Sequence, residues 1–439
     1  MPVRYRKVLV TQIQQLPTPT ARVRLEQSLL VVGVVALGFN LRTAIASLPP
    51  IFPELESALH ISTATVSVLA ATPVICFGVV SGFAAALARR LGEERLLFGA
   101  IVALTVGLVV RAAAPGVALF PGTVLAGAAI AIMNVLLSSL IKRRWPARAG
   151  FLIGLYITAL SAGAIVGSVA SVPLWQATGG SILITLGWLA APAALAALLW
   201  LPQLRQASAP APTPADPAAA DADAPAGTAE PAAAEPSGVQ PTPAVLAVYR
   251  HALAWQVMFF MGLQSLIYYA TLSWLPTILR YRGESAAGAG DLLALMGVGN
   301  LAVSLIVPVA AQRMRSQHAL VIPTVLAVGT GLAGLAYAPL GGAVAWALIL
   351  GAGQNAALAL AIFFTAARSP DPAAAASLSA FSQSAGYLLA AAGPIGVGLL
   401  RSETGSWTAP VAVLLVLTAI LLVAGLLAAR PRMLPVGRP

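Results

Sequence analysis

The sequence predicts an all-α membrane protein, with twelve transmembrane helices in two six-helix halves related by pseudo-two-fold symmetry. Three observations lead there. The 439 residues are 59% hydrophobic and only 9% charged, with a mean hydropathy of +0.88, whereas a soluble domain carries about 25% charged residues. Twelve stretches reach the roughly 20 apolar residues a helix needs to cross a bilayer. Short motifs recur in the second half at a nearly constant offset. The composition excludes an ordinary cytosolic enzyme, a disordered chain and a disulfide scaffold. The single cysteine, Cys76, excludes an intramolecular disulfide and a cysteine-based metal cluster.

In chain order the predicted spans are 28–50, 64–88, 96–114, 117–140, 150–173 and 180–201, then 252–279, 290–311, 320–338, 342–366, 376–400 and 408–429. Span 1 starts after Glu26 and closes on Leu48-Pro49-Pro50-Ile51. Span 3 closes on Arg111-Ala-Ala-Ala-Pro115, where an Ala/Gly-rich junction barely separates it from span 4. Span 5 has a glycine framework, Gly154, Gly163 and Gly167, that suits close packing of helices. Span 7 closes on Leu275-Pro276-Thr277-Ile278, and span 9 on Leu335-Ala-Tyr-Ala-Pro339. Span 8 starts at Asp291. Span 10 is the softest, because Gly, Gln and Asn interrupt it. The paired endings of spans 1 and 7 and of spans 3 and 9 are offset by 227 and 224 positions, the signature of a six-plus-six internal repeat. Pro49, Pro276 and Pro394 are expected to bend their helices and serve as gating hinges. No cleavable signal peptide is expected, since the arm before span 1 is long and polar.

Residues 1–27 are expected to form a cytoplasmic arm, 28–201 one half, 248–430 the other and 431–439 a tail. Residues 202–247 are rich in Ala and Pro and hold five acidic residues, Asp216, Asp221, Asp223, Glu230 and Glu235. This composition cannot bury enough apolar surface to fold and reads as a disordered linker. Twenty of the 25 basic residues fall on the linker side, in the arm, the 2–3, 4–5, 8–9 and 10–11 loops, the linker flanks and the tail. The positive-inside rule therefore puts both termini in the cytoplasm. The net charge of +11 is a topology signal, and no nucleic-acid partner is expected.

A charge at the bilayer centre costs about 2.5–3.5 kcal/mol even on the most lenient scale. Arg42 is the one charge read well inside a span, and every carboxylate and histidine lies in a loop, the linker or a helix end. A guanidinium facing a cavity offers a planar donor fork to an anion. With no buried carboxylate to pair with, Arg42 takes its counter-charge from a substrate, which favours an anionic or strongly dipolar solute over a cationic drug. Neutral polar residues join it. Gln264 and Tyr268 share one face of span 7, and Ser379, Gln383 and Tyr387 follow at spacing four in span 11. Asn134, Asn300 and the pair Gln354-Asn355 interrupt spans 4, 8 and 10. Spread over both halves, they suggest one polar cavity, although any single amide also suits a cross-link between helices. Tyr269 and Trp274 are placed either to stack on a ligand or to anchor at the membrane interface.

These residues sit in stretches that resemble the cyanate/nitroimidazole transporter (CynX/NimT) family of the major facilitator superfamily. They are Gly38-Phe39-Asn40-Leu41-Arg42, Asn134-Val135-Leu136-Leu137, Gly154-Leu155-Tyr156, Gly262-Leu263-Gln264-Ser265, Trp274-Leu275-Pro276 and Ser379-Ala380-Phe381-Ser382-Gln383-Ser384-Ala385-Gly386-Tyr387. The resemblance implies the superfamily fold, a midplane site between the halves and transport of small anions or polar heterocycles. It adds Asn40 and Tyr156 to the expected substrate contacts. Thr43, where Pro is common after the Asn-Leu-Arg, and Asn355, where Gly is common after the Gln, depart from the family pattern. The superfamily's 2–3 loop motif survives here only at Arg90 and Gly92, the two positions expected to take part in gating. An inner-membrane transporter working as a monomer, without cofactor or metal, is therefore expected. The competing reading is a proton-coupled drug exporter, which the missing membrane carboxylates disfavour. An integral membrane enzyme would need clustered acidic metal ligands, which the sequence lacks outside the linker.

Overall fold

A computed structural model describes residues 21–145, 148–206, 250–303, 306–314 and 316–434. The expected arm before residue 21, most of the expected linker, Arg315 and the end of the tail lie outside the described residues. Among the described residues all regular structure is helical, and twelve helical stretches are long and apolar enough to cross a membrane.

Span 1 runs over Ala21–Ala46, passes through a 3-10 turn at Pro49–Ile51 and restarts as Phe52–Leu59. Two adjacent prolines have no N–H to continue the helical ladder, so the helix breaks where the sequence predicts. Span 2 is Thr63–Leu91, and the Ser62 hydroxyl caps it by accepting from the Thr65 amide at 3.2 Å. It meets span 3, Glu93–Ala113, at Gly92, whose φ of +84° requires glycine. Span 4 is Pro115–Arg144, and span 5 is Ala149–Ala177. Span 6 is broken into Ile182–Gly187 and Ala190–Gln206, so its helix continues five residues past the predicted end at 201.

The second half contains span 7, Ala252–Tyr281, and span 8, Ala286–Val303 followed by Ile306–Arg313. Span 9 is His318–Tyr337, span 10 is Ala343–Ala367, span 11 is Pro372–Thr404 and span 12 is Thr408–Ala428. Span 10 is an unbroken helix. Its glycines act as contact points rather than breaks, with Gly351 against Met296 of span 8 and Gly353 against Val328 of span 9.

The helix pairs repeat between the halves. Spans 1 and 5, 3 and 4, 2 and 4, 3 and 6, and 1 and 6 pack together, as do 7 and 11, 9 and 10, 8 and 10, 9 and 12, and 7 and 12. Each of the second set is the first shifted by six spans. Between the halves, span 2 packs on span 11 and span 5 on span 8, two contacts that a two-fold axis exchanges. Small residues allow the close approaches. Gly163 and Gly167 of span 5 lie against Phe39 and Thr43 of span 1, and Gly262 of span 7 lies against Gly386 of span 11. Two of the three glycines in the span 5 framework are therefore packing residues, and Gly154 faces open space.

The halves meet unevenly. On span 2 the face toward span 11 runs through Ser67, Ala71, Val74 and Gly78, all buried. It continues toward the linker end as Ser81 and Gly82, which are half-buried and exposed. On span 5, Ser168 and Ile165 touch Gly290 and Gly297 of span 8, while Thr158 nearer the linker end is exposed. The bundle is therefore closed at the end opposite the linker and parted at the linker end.

Candidate functional site

Arg42 lies where the two halves face each other. Its Nη1 donates to the Tyr268 hydroxyl oxygen at 2.7 Å, and its guanidinium carbon stands 5.4 Å from the Tyr268 ring centroid. Tyr269, Tyr387 and Tyr156 are close enough to share its field. Among the described residues no carboxylate forms an ion pair with it. Four phenols and one permanent cation thus form a site with positive charge, aromatic walls and few acceptors.

The walls are tied together. Tyr156 of span 5 donates to Asn134 Oδ1 of span 4 at 3.0 Å, which leaves the exposed Asn134 amide nitrogen free for a guest. Tyr268 and Tyr269 meet edge to face at 5.1 Å, and Tyr269 and Tyr387 at 6.4 Å. Phe77 of span 2 completes the group, 6.3 Å from Tyr269 and 5.7 Å from Tyr387. Phe77 was not expected from the sequence. A phenylalanine in an apolar span carries no polar signal, and only the packing of span 2 on span 11 reveals its place.

The other expected contacts divide. Gln383 is exposed on span 11 and bonds Ser379 at 2.8 Å, consistent with a parted linker end. Gln354 is buried with both amide atoms unpartnered, as is the Asn300 side-chain oxygen. Three residues are bonded elsewhere instead, two between helices and one on its own helix. Asn40 donates to the Ala36 and Pro192 carbonyls and so links spans 1 and 6. Asn355 donates to the Asn300 carbonyl at 2.6 Å and links spans 8 and 10. Gln264 turns toward Ser265 and Met261 on its own helix.

Trp274 belongs to the closed end. Its indole N–H donates to the Pro394 carbonyl at 2.9 Å, and its ring packs on Phe52 at 5.7 Å and Trp407 at 5.6 Å. It is 1% exposed, so it is neither an interfacial anchor nor a cavity wall. Beside it Arg280 at the end of span 7 pairs with Glu54 at 2.8 Å. Arg401 is stacked between the rings of Tyr281 and Trp407. Of the expected hinges, Pro49 and Pro394 lie in this region, and Pro276 lies inside the span 7 helix. Arg90 is exposed at the linker end, where Glu93 and Glu94 pair with Arg143 instead.

Two polar links between spans 1 and 7 share one sequence separation. Arg42 and Tyr268 are 226 positions apart, and so are Glu54 and Arg280. That separation is one position short of the 227 offset between the paired endings of spans 1 and 7, so each link joins neighbouring rather than equivalent positions of the repeat.

Residues 30–394 match the Major Facilitator Superfamily. The chain is 37% identical over 408 residues to the uncharacterized transporter YycB of Bacillus subtilis (strain 168), covering 92% of this chain and 94% of that one. It is 32% identical over 409 residues to the 2-nitroimidazole transporter of Escherichia coli (strain K12), covering 92% and 96%. It is 28% identical over 376 residues to the cyanate transport protein CynX of the same organism, covering 85% and 90%. In fold it is similar to the crystal structure of the nucleoside transporter NupG, with a TM-score of 0.68 at 14% identity, covering 91% of this chain and 99% of that one.

Proposed function

The chain belongs to the Major Facilitator Superfamily, as a CynX/NimT-like member, and from that premise we propose that it moves a small anionic or strongly dipolar solute by alternating access, with Arg42 as the binding residue. The observation that carries this reading is the Arg42–Tyr268 link between the halves. A guanidinium held by a phenol alone retains an unmet demand for negative charge, because a phenol oxygen supplies only a dipole. A solute bearing a carboxylate, a cyanate or a nitro group supplies what the phenol lacks. The relatives named for nitroimidazole and cyanate carry cargo of that chemistry. The Phe77, Tyr269 and Tyr387 rings suit a flat guest, and Asn134 offers it an amide donor.

The distribution of basic residues supports a cytoplasmic linker end; on that reading the closed end faces outward and the structure corresponds to an inward-facing state. Substrate pairing neutralises the buried charge. The halves close around a neutral pair at lower cost than around a lone cation, so occupancy shifts the population toward the occluded state. Proteoliposome uptake of cyanate, small carboxylates and nitroheterocycles tests this. Uptake of at least one is expected in the wild type and is expected to be lost in Arg42→Ala and reduced in Arg42→Lys. Undiminished uptake in both variants would overturn the role of Arg42.

A further inference from the structure

Arg111 has no part in the transport reading. The sequence assigns it to the outer end of span 3, as one of the few basic residues on that side. The structure buries it instead, with 1% of the residue exposed, and among the described residues its Nε and Nη2 have no acceptor within hydrogen-bond distance. Span 4 closes one side. Gly122 comes so near that a Cβ there would collide with the Arg111 amide nitrogen and Cβ. Span 6 closes another, since Gly187 lies against Ala112, the next residue along span 3.

The same broken stretch of span 6 holds two more orphaned polar atoms. Thr185 Oγ1 and Trp188 Nε1 are buried without a hydrogen-bond partner. The helix is interrupted between Gly187 and Ala190, beside Trp188. A guanidinium and an indole N–H can only donate, and a hydroxyl can donate as well. A cation buried without counter-charge is strongly unfavourable, and the stretch of span 6 that packs on span 3 brings further unpartnered donors to the same end of the half. The set lacks one thing, a compact acceptor carrying negative charge.

We propose that the outer end of the N-terminal half holds a small inorganic anion of halide size, bound by Arg111 with the help of Thr185 and Trp188. The site is separate from Arg42, which faces the other half from span 1. The bound anion is a resident counter-charge that stabilises the packing of spans 3, 4 and 6, and it does not travel with the substrate.

The test uses the purified full-length chain, melted at constant ionic strength in sodium gluconate with increasing chloride or bromide. A saturable rise in melting midpoint is expected in the wild type, unchanged in Arg42→Gln and lost in Arg111→Gln. In gluconate alone, Arg111→Gln is expected to melt no lower than the wild type, because the unpaired cation is gone. Thr185→Val and Trp188→Phe are each expected to weaken the halide response severalfold. Bromide-grown crystals of the wild type read the site directly, whether or not Arg111→Gln folds. An anomalous peak within hydrogen-bond reach of Arg111 supports the proposal, and its absence overturns it. A wild-type midpoint indifferent to halide, or a response lost in Arg42→Gln and kept in Arg111→Gln, also overturns it.

Discussion

Removing the Glu54–Arg280 pair should loosen the closed end without abolishing it. The charged atoms are 2.8 Å apart, and the two side chains are 17% and 25% exposed. An exposed pair contributes about 0.2–1 kcal/mol, and a hydrogen bond to a charged group about 1.5–3 kcal/mol. A partly shielded pair falls between, at about 1–2 kcal/mol. At roughly 1.4 kcal/mol per tenfold, breaking it shifts the balance toward states open at that end by about five- to thirtyfold. The packing of Trp274 on Phe52 and Trp407 stays intact, so the shift is partial. Ser67 reports on it, being fully buried where span 2 meets Gly398 of span 11. In a Cys76→Ala, Ser67→Cys background, a bulky thiol reagent added from outside should label Glu54→Gln and Arg280→Gln about five- to thirtyfold faster than the parent. The double variant should be no faster than either single one, and the exchange Glu54→Arg with Arg280→Glu should restore slow labelling. Unchanged labelling in both single variants would refute the latch, as would a charge exchange as fast as the singles.

Other outcomes follow from the same geometry. Tyr268→Phe removes the acceptor facing Arg42 and keeps the ring, so substrate affinity by calorimetry should move by about ten- to a hundredfold, the range of about 1.5–3 kcal/mol for a hydrogen bond to a charged group. Arg42→Ala should lose about 2–5 kcal/mol in the same experiment, the range for truncating one partner of a buried charge pair. Gly163→Leu would drive a side chain into the Phe39 carbonyl and Thr43 of span 1, so a thermal melt should show overpacking of about 1–3 kcal/mol or more. No Asp, Glu or His lies in the middle of a described span, so cationic drugs should drive no proton flux in liposomes.

The elements and the repeat could be read from the sequence, because apolar length and proline position are local properties. The contacts between the halves were not legible, because the 224–227 offset relates the halves without saying which residues meet. The site was less legible than the spans for a physical reason. In a helix apolar on every side, periodicity does not say which side faces the cavity. Asn40, Gln264 and Asn355 therefore read as cavity residues although their amides hold helices together or bond locally, and Trp274 read as an anchor or stacking residue although it plugs the closed end. Phe77 gave no signal at all. Arg111 misled in the opposite sense. Three alanines and a proline after it suggested a loop edge, and only the close crossing of Gly122 shows that its backbone is walled in.

The role of Arg42 is tested most directly by ligand-dependent melting of the purified full-length chain. Cyanate, small carboxylates, nitroheterocycles and cationic drugs would be compared on the wild type and on Arg42→Ala. Stabilisation by at least one anionic or dipolar compound in the wild type, absent in Arg42→Ala, is the predicted result. Stabilisation by cationic drugs alone, equal in the two proteins, would contradict it.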